Sequence, residues 1–225
     1  MNNAVCFYRS AASAFIDWLT AMSKTRLNYI LSYVFEISWA IAFTIVSCIA
    51  QGSGRGAVLS FLTGFFTFSF VEYGIHRWWF HSPASFMTPS HLAHHANPRQ
   101  PAALPCICSI VILPFVWWGF AAAFGLKNGS AALGGFLTGY VLYSVVHHMQ
   151  HSVRVSRLPF KWMRRWWVSH AIHHGRRDAN FGVTTPLWDY VLGTHTTHGR
   201  TRTSHDVTMR TDRADGTRAE LSCGR

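Results

Sequence analysis

The stretch Glu72–His95, EYGIHRWWFHSPASFMTPSHLAHH, carries five of the chain's fourteen histidines. His76 and His81 stand five residues apart, and His91, His94 and His95 form a compact trio. At about 100° per residue of α-helix, the trio falls within an arc of roughly 100°, which predicts that its rings face one way. His76 and His81 diverge by about 140° on the same helix, so they converge best where a helix frays or bends. The pattern then recurs: His147 and His151 make an i, i+4 pair, and His170, His173 and His174 repeat the trio. Imidazole binds transition metals. Ten such rings exceed what one ion takes. They suit two ions, each with about five protein ligands and a position left for oxygen, water or hydroxide. A single histidine at the end of an apolar helix is ordinarily a satisfied core or interface residue, but four clusters at ligand spacing are hard to obtain that way.

Two divalent ions would bring positive charge that neutral rings do not offset. Carboxylates accepting from ring N–H groups are therefore expected around them. Glu72, Asp178 and Asp189 lie near the clusters in sequence, and Tyr143 stands one turn before His147. Asp189 reads equally well as a helix or turn cap. Zinc and copper bind imidazole at least as well as iron does, so affinity alone does not name the metal.

The elements that must hold these rings read as membrane helices. Hydrophobic residues make up 49% of the chain and charged residues only 13%, half the charged share of an average soluble domain. The formal charge of +11 does not point to nucleic acid, because 13 of the 20 Lys and Arg lie at or beyond Arg154, after long apolar stretches, and no nucleic-acid-binding motif accompanies them. The five cysteines fit no disulfide framework and none makes a Cys-x-x-Cys pair, so they read as reduced thiols with no metal role.

Four spans are predicted: Leu27–Ala50, Ala57–Val71 running on past Glu72, Leu104–Gly125 with Pro114 as a kink, and Ala131–Val146. Tight turns at Gln51–Gly56 and Leu126–Ser130 separate the first from the second and the third from the fourth. These turns hold Arg55 and Lys127, which leaves 18 of the 20 basic residues, with every histidine, on the other side; that side is expected to be cytoplasmic. Residues 1–26 form an N-terminal segment in which Ala11–Met22 reads either as an interfacial helix or as a frayed terminus. Residues 199–225 are polar, Arg- and Thr-rich, and read as a disordered tail. Glu36 interrupts the first span and reads as a protein-facing carboxylate paired with a Tyr, Trp or Ser.

EYGIHRWWFH, HLAHH, Tyr143 before HHMQH, and HAIHH followed by FGVTTPLWDY together resemble the fatty acid hydroxylase and sterol desaturase superfamily, in particular the fatty acid 2-hydroxylases. The resemblance covers Glu72 to about Thr194. It departs at Gln100, where that branch carries Asp. It implies an all-α integral membrane protein, residues 27–198 forming the hydroxylase-like domain, with a histidine-rich cytoplasmic cap around a di-metal site. It implies His76, His81, His91, His94, His95, His147, His151, His170, His173 and His174 as ligands, two iron ions as cofactor (zinc possible after purification), and O2 as co-substrate. Its implied partners are a lipid drawn from the bilayer and a separate electron donor of cytochrome b5 or ferredoxin type, with its reductase. The reaction would be hydroxylation or desaturation of a lipid C–H bond, most naturally in a fatty acyl chain. Sterol- or carotenoid-oxidising members of the superfamily are the nearest alternative. A haem-binding electron-transfer protein would need only paired axial histidines, and a metal transporter would want polar ligands at the membrane midplane. Within HHMQH, His147 with His151 is the pair closest in angle, His148 with His151 is the geometric alternative, and the family spacing from Tyr143 favours His147.

Overall fold

The computed structural model describes residues 2–82, 85, 87–100 and 103–198, with side chains from residue 13 onward; the predicted tail, 199–225, lies outside the described residues. Among the described residues, every regular element is a helix. In order come α1 (Asn2–Ser23), α2 (Arg26–Ile49), α3 (Gly54–Gly74) continuing into a π-helical segment (Ile75–Phe80), α4 (Thr88–Ala96), α5 (Cys106–Phe124), α6 (Leu126–Ser152), a 3₁₀ turn (Val155–Arg157), α7 (Lys161–Gly175) and α8 (Leu187–Val191). Among the described residues, four helices are long and apolar enough to cross a membrane: Arg26–Ile49, Gly54–Phe80, Cys106–Phe124 and Leu126–Ser152.

The local chemistry explains where these helices start. Thr25 accepts from the Asn28 backbone N–H at 3.1 Å and Ser53 from that of Gly56 at 3.3 Å, each capping the first turn of its helix. The predicted turn at Leu126–Ser130 is instead the first turn of α6. Gly125 alone makes the reversal, at φ +79°, a conformation that favours glycine. The small residues after it serve packing: Ser130 is fully buried and receives the Trp117 indole N–H at 2.9 Å. α1 is also longer than Ala11–Met22, and its Phe15, Ile16 and Trp18 stay exposed while Leu19 is buried.

α6 is the central helix. Half of its most apolar window is buried, against 22% for α2 and α3 and 6% for α5, so the other three turn most of their surface outward, as lipid-facing helices do. It packs along α2, α3 and α5. The α3–α6 contact is a close backbone approach: a Cβ at Gly64 would lie 1.9 Å from the Ala132 carbonyl oxygen, and one at Gly135 would lie 2.0 Å from that of Phe61. Against α2 and α5 the packing is aromatic, with Trp39, Phe43 and Trp117 stacked in series at 5.2 and 5.8 Å around Leu133 and Leu137. At one end of this bundle Lys127 donates to the Ala50 carbonyl at 2.8 Å, closing the C-terminus of α2. The π-helical segment, the end of α6, α4 and α7 gather the histidines at the other end.

Gly135→Ala should lower the thermal unfolding midpoint of the detergent-purified protein, by overpacking worth about 1–3 kcal/mol. Gly119→Ala, where an added Cβ meets nothing within 4 Å, should leave it unchanged or slightly raised. Equal effects of the two changes would contradict the close α3–α6 contact.

Candidate metal centre

The bend that His76 and His81 need is supplied by π-helix. Over Ile75–Phe80 the backbone closes each hydrogen bond onto the fifth residue back, which brings residues five apart toward one face. The two rings sit 5.3 Å apart, centroid to centroid. Nothing in the local sequence announces this turn beyond the five-residue spacing itself.

The rings converge as two groups. Ligand-capable atoms of His76, His81, His91, His95 and His173 lie within 4.8 Å of one another, and so do those of His94, His147, His151 and His174. His170 joins the second group, its Nε2 3.0 Å from that of His151 and its ring 4.7 Å from that of His174. The trios therefore do not face one way. His91 and His95, one turn apart on α4, go to the first group, while His94 goes to the second; on α7, His170 and His174 go to the second and His173 to the first. The angle of about 100° between adjacent helical residues is what splits each trio. One helix thereby serves both groups.

Within each group the nitrogens stand at one spacing. His91 Nε2 is 3.1 Å from His76 Nε2, 3.1 Å from His81 Nε2 and 3.0 Å from His95 Nε2. His94 Nε2 is 3.1 Å from both His147 and His151 Nε2. One imidazole nitrogen holds a single proton or a single lone pair, so it cannot satisfy three such neighbours by hydrogen bonding. The outer nitrogens fix the tautomers: His76 Nδ1 donates to the Phe181 carbonyl at 2.5 Å, His173 Nδ1 to that of Ala179 at 2.8 Å, and His94 Nδ1 to that of Gln100 at 3.4 Å. Their Nε2 lone pairs point inward. Burial, followed by the neighbouring rings, pushes the His95 imidazole down to about 3 and holds His91, His170 and His173 below the usual histidine range; His81 falls to about 4 through burial and then Arg177. These five rings are neutral at neutral pH. Two nitrogens bound at right angles to one ion at about 2.1 Å lie about 3.0 Å apart, so this donor set fits a metal in each group. Among the described residues, both nitrogens of His174 are buried without a hydrogen-bond partner, as an open ligand would be.

A cavity of about 80 Å³ reaches both groups, lined at one end by His91, His94 and His147 and at the other by Glu36 and Tyr140. Tyr143 lines it too, stacked on His147 at 5.5 Å. His148 stands outside both groups: it is exposed, and its Nδ1 lies 3.1 Å from the Tyr29 hydroxyl.

Residues 61–194, which include all ten converging rings, match the family model "Fatty acid hydroxylase". The chain belongs to the fatty acid hydroxylase family. It is 31% identical over 177 residues to the dihydroceramide fatty acyl 2-hydroxylase FAH1 of Arabidopsis thaliana, covering 69% of this chain and 72% of that protein. With the ceramide very long chain fatty acid hydroxylase SCS7 of Saccharomyces cerevisiae it shares 29% identity over 202 residues, 83% of this chain but only half of that protein. It spans 39% of the fatty acid 2-hydroxylase of Homo sapiens, at 27% identity over 60% of its own length. A solved structure of full-length scs7p, in which only the hydroxylase domain is visible, superposes with a TM-score of 0.62 at 26% identity, over 81% of this chain and 72% of that one. With its four apolar helices, this member of the family is an integral membrane protein.

The carboxylates of this hydroxylase-family chain hold a loop and not the rings. Asp189, 1% exposed, accepts from the backbone N–H groups of Phe181 and Gly182, each at 2.8 Å, and from the Thr194 hydroxyl at 2.6 Å. Glu72 accepts from the N–H groups of Val183 at 2.6 Å and Thr184 at 3.2 Å, and from the Thr184 hydroxyl. Four successive N–H groups are thus taken by two buried acids, which leaves the carbonyls of Ala179 and Phe181 to receive His173 and His76. Asn180, between them, sits at φ +56° with its side chain bonded to the Ser169 and Thr196 carbonyls. The acceptors expected among the acids are backbone carbonyls for these rings. Asp178 stands on the surface, its side chain 71% exposed and paired with Arg176. Residues 179–185 are the part of the site that sequence reasoning left without a role; FGVTTPLWDY was the only pointer to them.

His148→Ala should leave the purified protein's metal content, measured by elemental analysis, at two ions per chain. His147→Ala and His174→Ala should each lower it toward one. Loss of metal in His148→Ala with retention in His147→Ala would contradict the grouping.

Proposed function

We propose that this chain is a membrane-bound, non-haem di-iron oxygenase that hydroxylates a fatty acyl chain. The observation that carries the reading is the pair of five-ring imidazole groups opening onto one cavity between α2 and α6. Its relatives named for 2-hydroxylation of fatty acyl chains support the carbon next to the carbonyl as the site of reaction. The balance is a C–H bond, O2, two electrons and two protons giving an alcohol and water. The electrons come from a separate donor, of cytochrome b5 or ferredoxin type. With two iron ions bound, the pair supplies the redox chemistry that reduces O2 and oxidises the C–H bond.

The residues of the chain do the rest. His76, His81, His91, His95 and His173 would hold one ion, and His94, His147, His151, His170 and His174 the other. The Phe181 and Ala179 carbonyls fix two rings of the first set in the tautomer that binds metal; Asp189 holds the Phe181–Gly182 peptide through the Gly182 N–H, and the Thr194 carbonyl holds the Ala179–Asn180 peptide through the Asn180 N–H. Tyr143 stacks on His147 and lines that side of the cavity. Phe80, Met87 and Leu104 line the same cavity and suit a hydrocarbon chain. The side bearing the rings is assigned to the cytoplasm, because it carries all but Arg55 and Lys127 of the 20 basic residues.

Expression in a host lacking its own acyl 2-hydroxylase should add lipids heavier by one oxygen, with the hydroxyl on the second acyl carbon, and His174→Ala should remove them. Lipid mass spectrometry checks this. An unchanged lipid profile with folded, metal-loaded protein would overturn the reading, and a new double bond in place of the hydroxyl would redirect it to desaturation.

A further inference from the structure

The far wall of the cavity carries a carboxyl group that the proposed chemistry leaves unused. Glu36 lies inside the span formed by α2 and is 2% exposed. Its carboxyl faces the Tyr140 hydroxyl, yet Oε1 is buried with no hydrogen-bond partner among the described residues. The side chain lines the cavity beside Ser32, Tyr33 and Tyr140. The other hydroxyls there are committed: Tyr33 donates to the Ser144 carbonyl at 2.7 Å, and Ser32 to that of Leu104 at 2.9 Å. A buried carboxyl oxygen in a membrane span is costly to leave unpaired, and such residues characteristically face a cavity or a partner. On α2 the side chain leans toward the helix N-terminus, and so toward the end of the bundle where the rings are.

We propose that Glu36 binds a hydroxyl group of the lipid substrate and so decides which carbon of the chain is presented to the rings. This rests on the hydroxylase reading above. A hydroxyl complements Glu36 in either state of the acid: it donates to a carboxylate and accepts from a carboxyl, whereas a phosphate or free carboxylate headgroup would be repelled by the ionised form. The cavity thus selects an uncharged, hydroxyl-bearing lipid. Glu36 is a specificity-determining residue, with no part in holding metal.

The test uses the full chain, purified in detergent with its metal, and two N-acyl lipids of identical acyl chain. One is an N-acyl sphinganine, and the other is the same amide with both hydroxyls replaced by hydrogen. Equilibrium binding is measured first, and product formation separately, with O2 and a cytochrome b5 or ferredoxin type donor and its reductase supplied. The unmodified protein should bind the hydroxylated lipid about tenfold more tightly, the scale of leaving one buried polar group unsatisfied. Glu36→Leu should abolish that preference, leave affinity for the deoxy lipid within about twofold, and keep metal content unchanged. Glu36→Met, unbranched and of similar length, serves the same purpose should the leucine variant fail to fold. No preference in the unmodified protein, a preference that survives in these variants, or an equal loss for both lipids would overturn the proposal. Preferential binding without any product would support Glu36 while overturning the hydroxylase reading.

Discussion

Ten imidazole rings are brought nitrogen to nitrogen at the end of a membrane bundle, and their inward lone pairs repel one another unless positive charge lies between them. The rest of the architecture follows from that constraint. Two groups a short way apart need helices that face both, so α4 and α7 lie between them and each sends rings in two directions. α6 provides its i, i+4 pair only because it is long enough to cross the bundle and continue beyond, to Ser152. α3 reaches the first group only by changing its winding at Ile75.

Acid is kept one step back from the rings. Among the described residues, both groups are built of histidine alone. Glu72 and Asp189 act through the backbone of residues 181–184, whose N–H groups they hold while the Ala179 and Phe181 carbonyls orient His173 and His76. At His76 the Asp189 charge therefore acts through the polarised Phe181–Gly182 peptide, and the Phe181 and Ala179 carbonyls set the tautomers of His76 and His173. An acid in direct contact with a ring would also serve that end, but the loop does more: it ties α3, α7 and α8 to one another at the place where their ring orientations must agree.

The sequence was legible where a signal was periodic or compositional. Four apolar spans, the grouping of histidines at one end and the pairing of His147 with His151 all follow from hydropathy and from the 3.6-residue repeat. It was silent where backbone geometry decided. The five-residue spacing of His76 and His81 demanded a bend without saying that π-helix makes it. The trio spacing suggested a common face, because an arc of about 100° reads as one side until two targets are known to exist. Leu126–Ser130 looked like a turn because glycine and serine serve close helix packing as readily as reversal. The pairing of Asp189 with the backbone of Phe181 and Gly182 is a loop contact, and no period encodes it.

The central claim is that each of two irons is held by imidazole nitrogen alone on the protein side. Iron-edge X-ray absorption of the purified, active protein tests it most directly. The expected spectrum has a first shell of nitrogen or oxygen at about 2.1 Å, with the outer-shell scattering of about five imidazoles per iron and no sulfur. A porphyrin signature, a sulfur shell, or outer-shell scattering from only one or two rings per iron would contradict it.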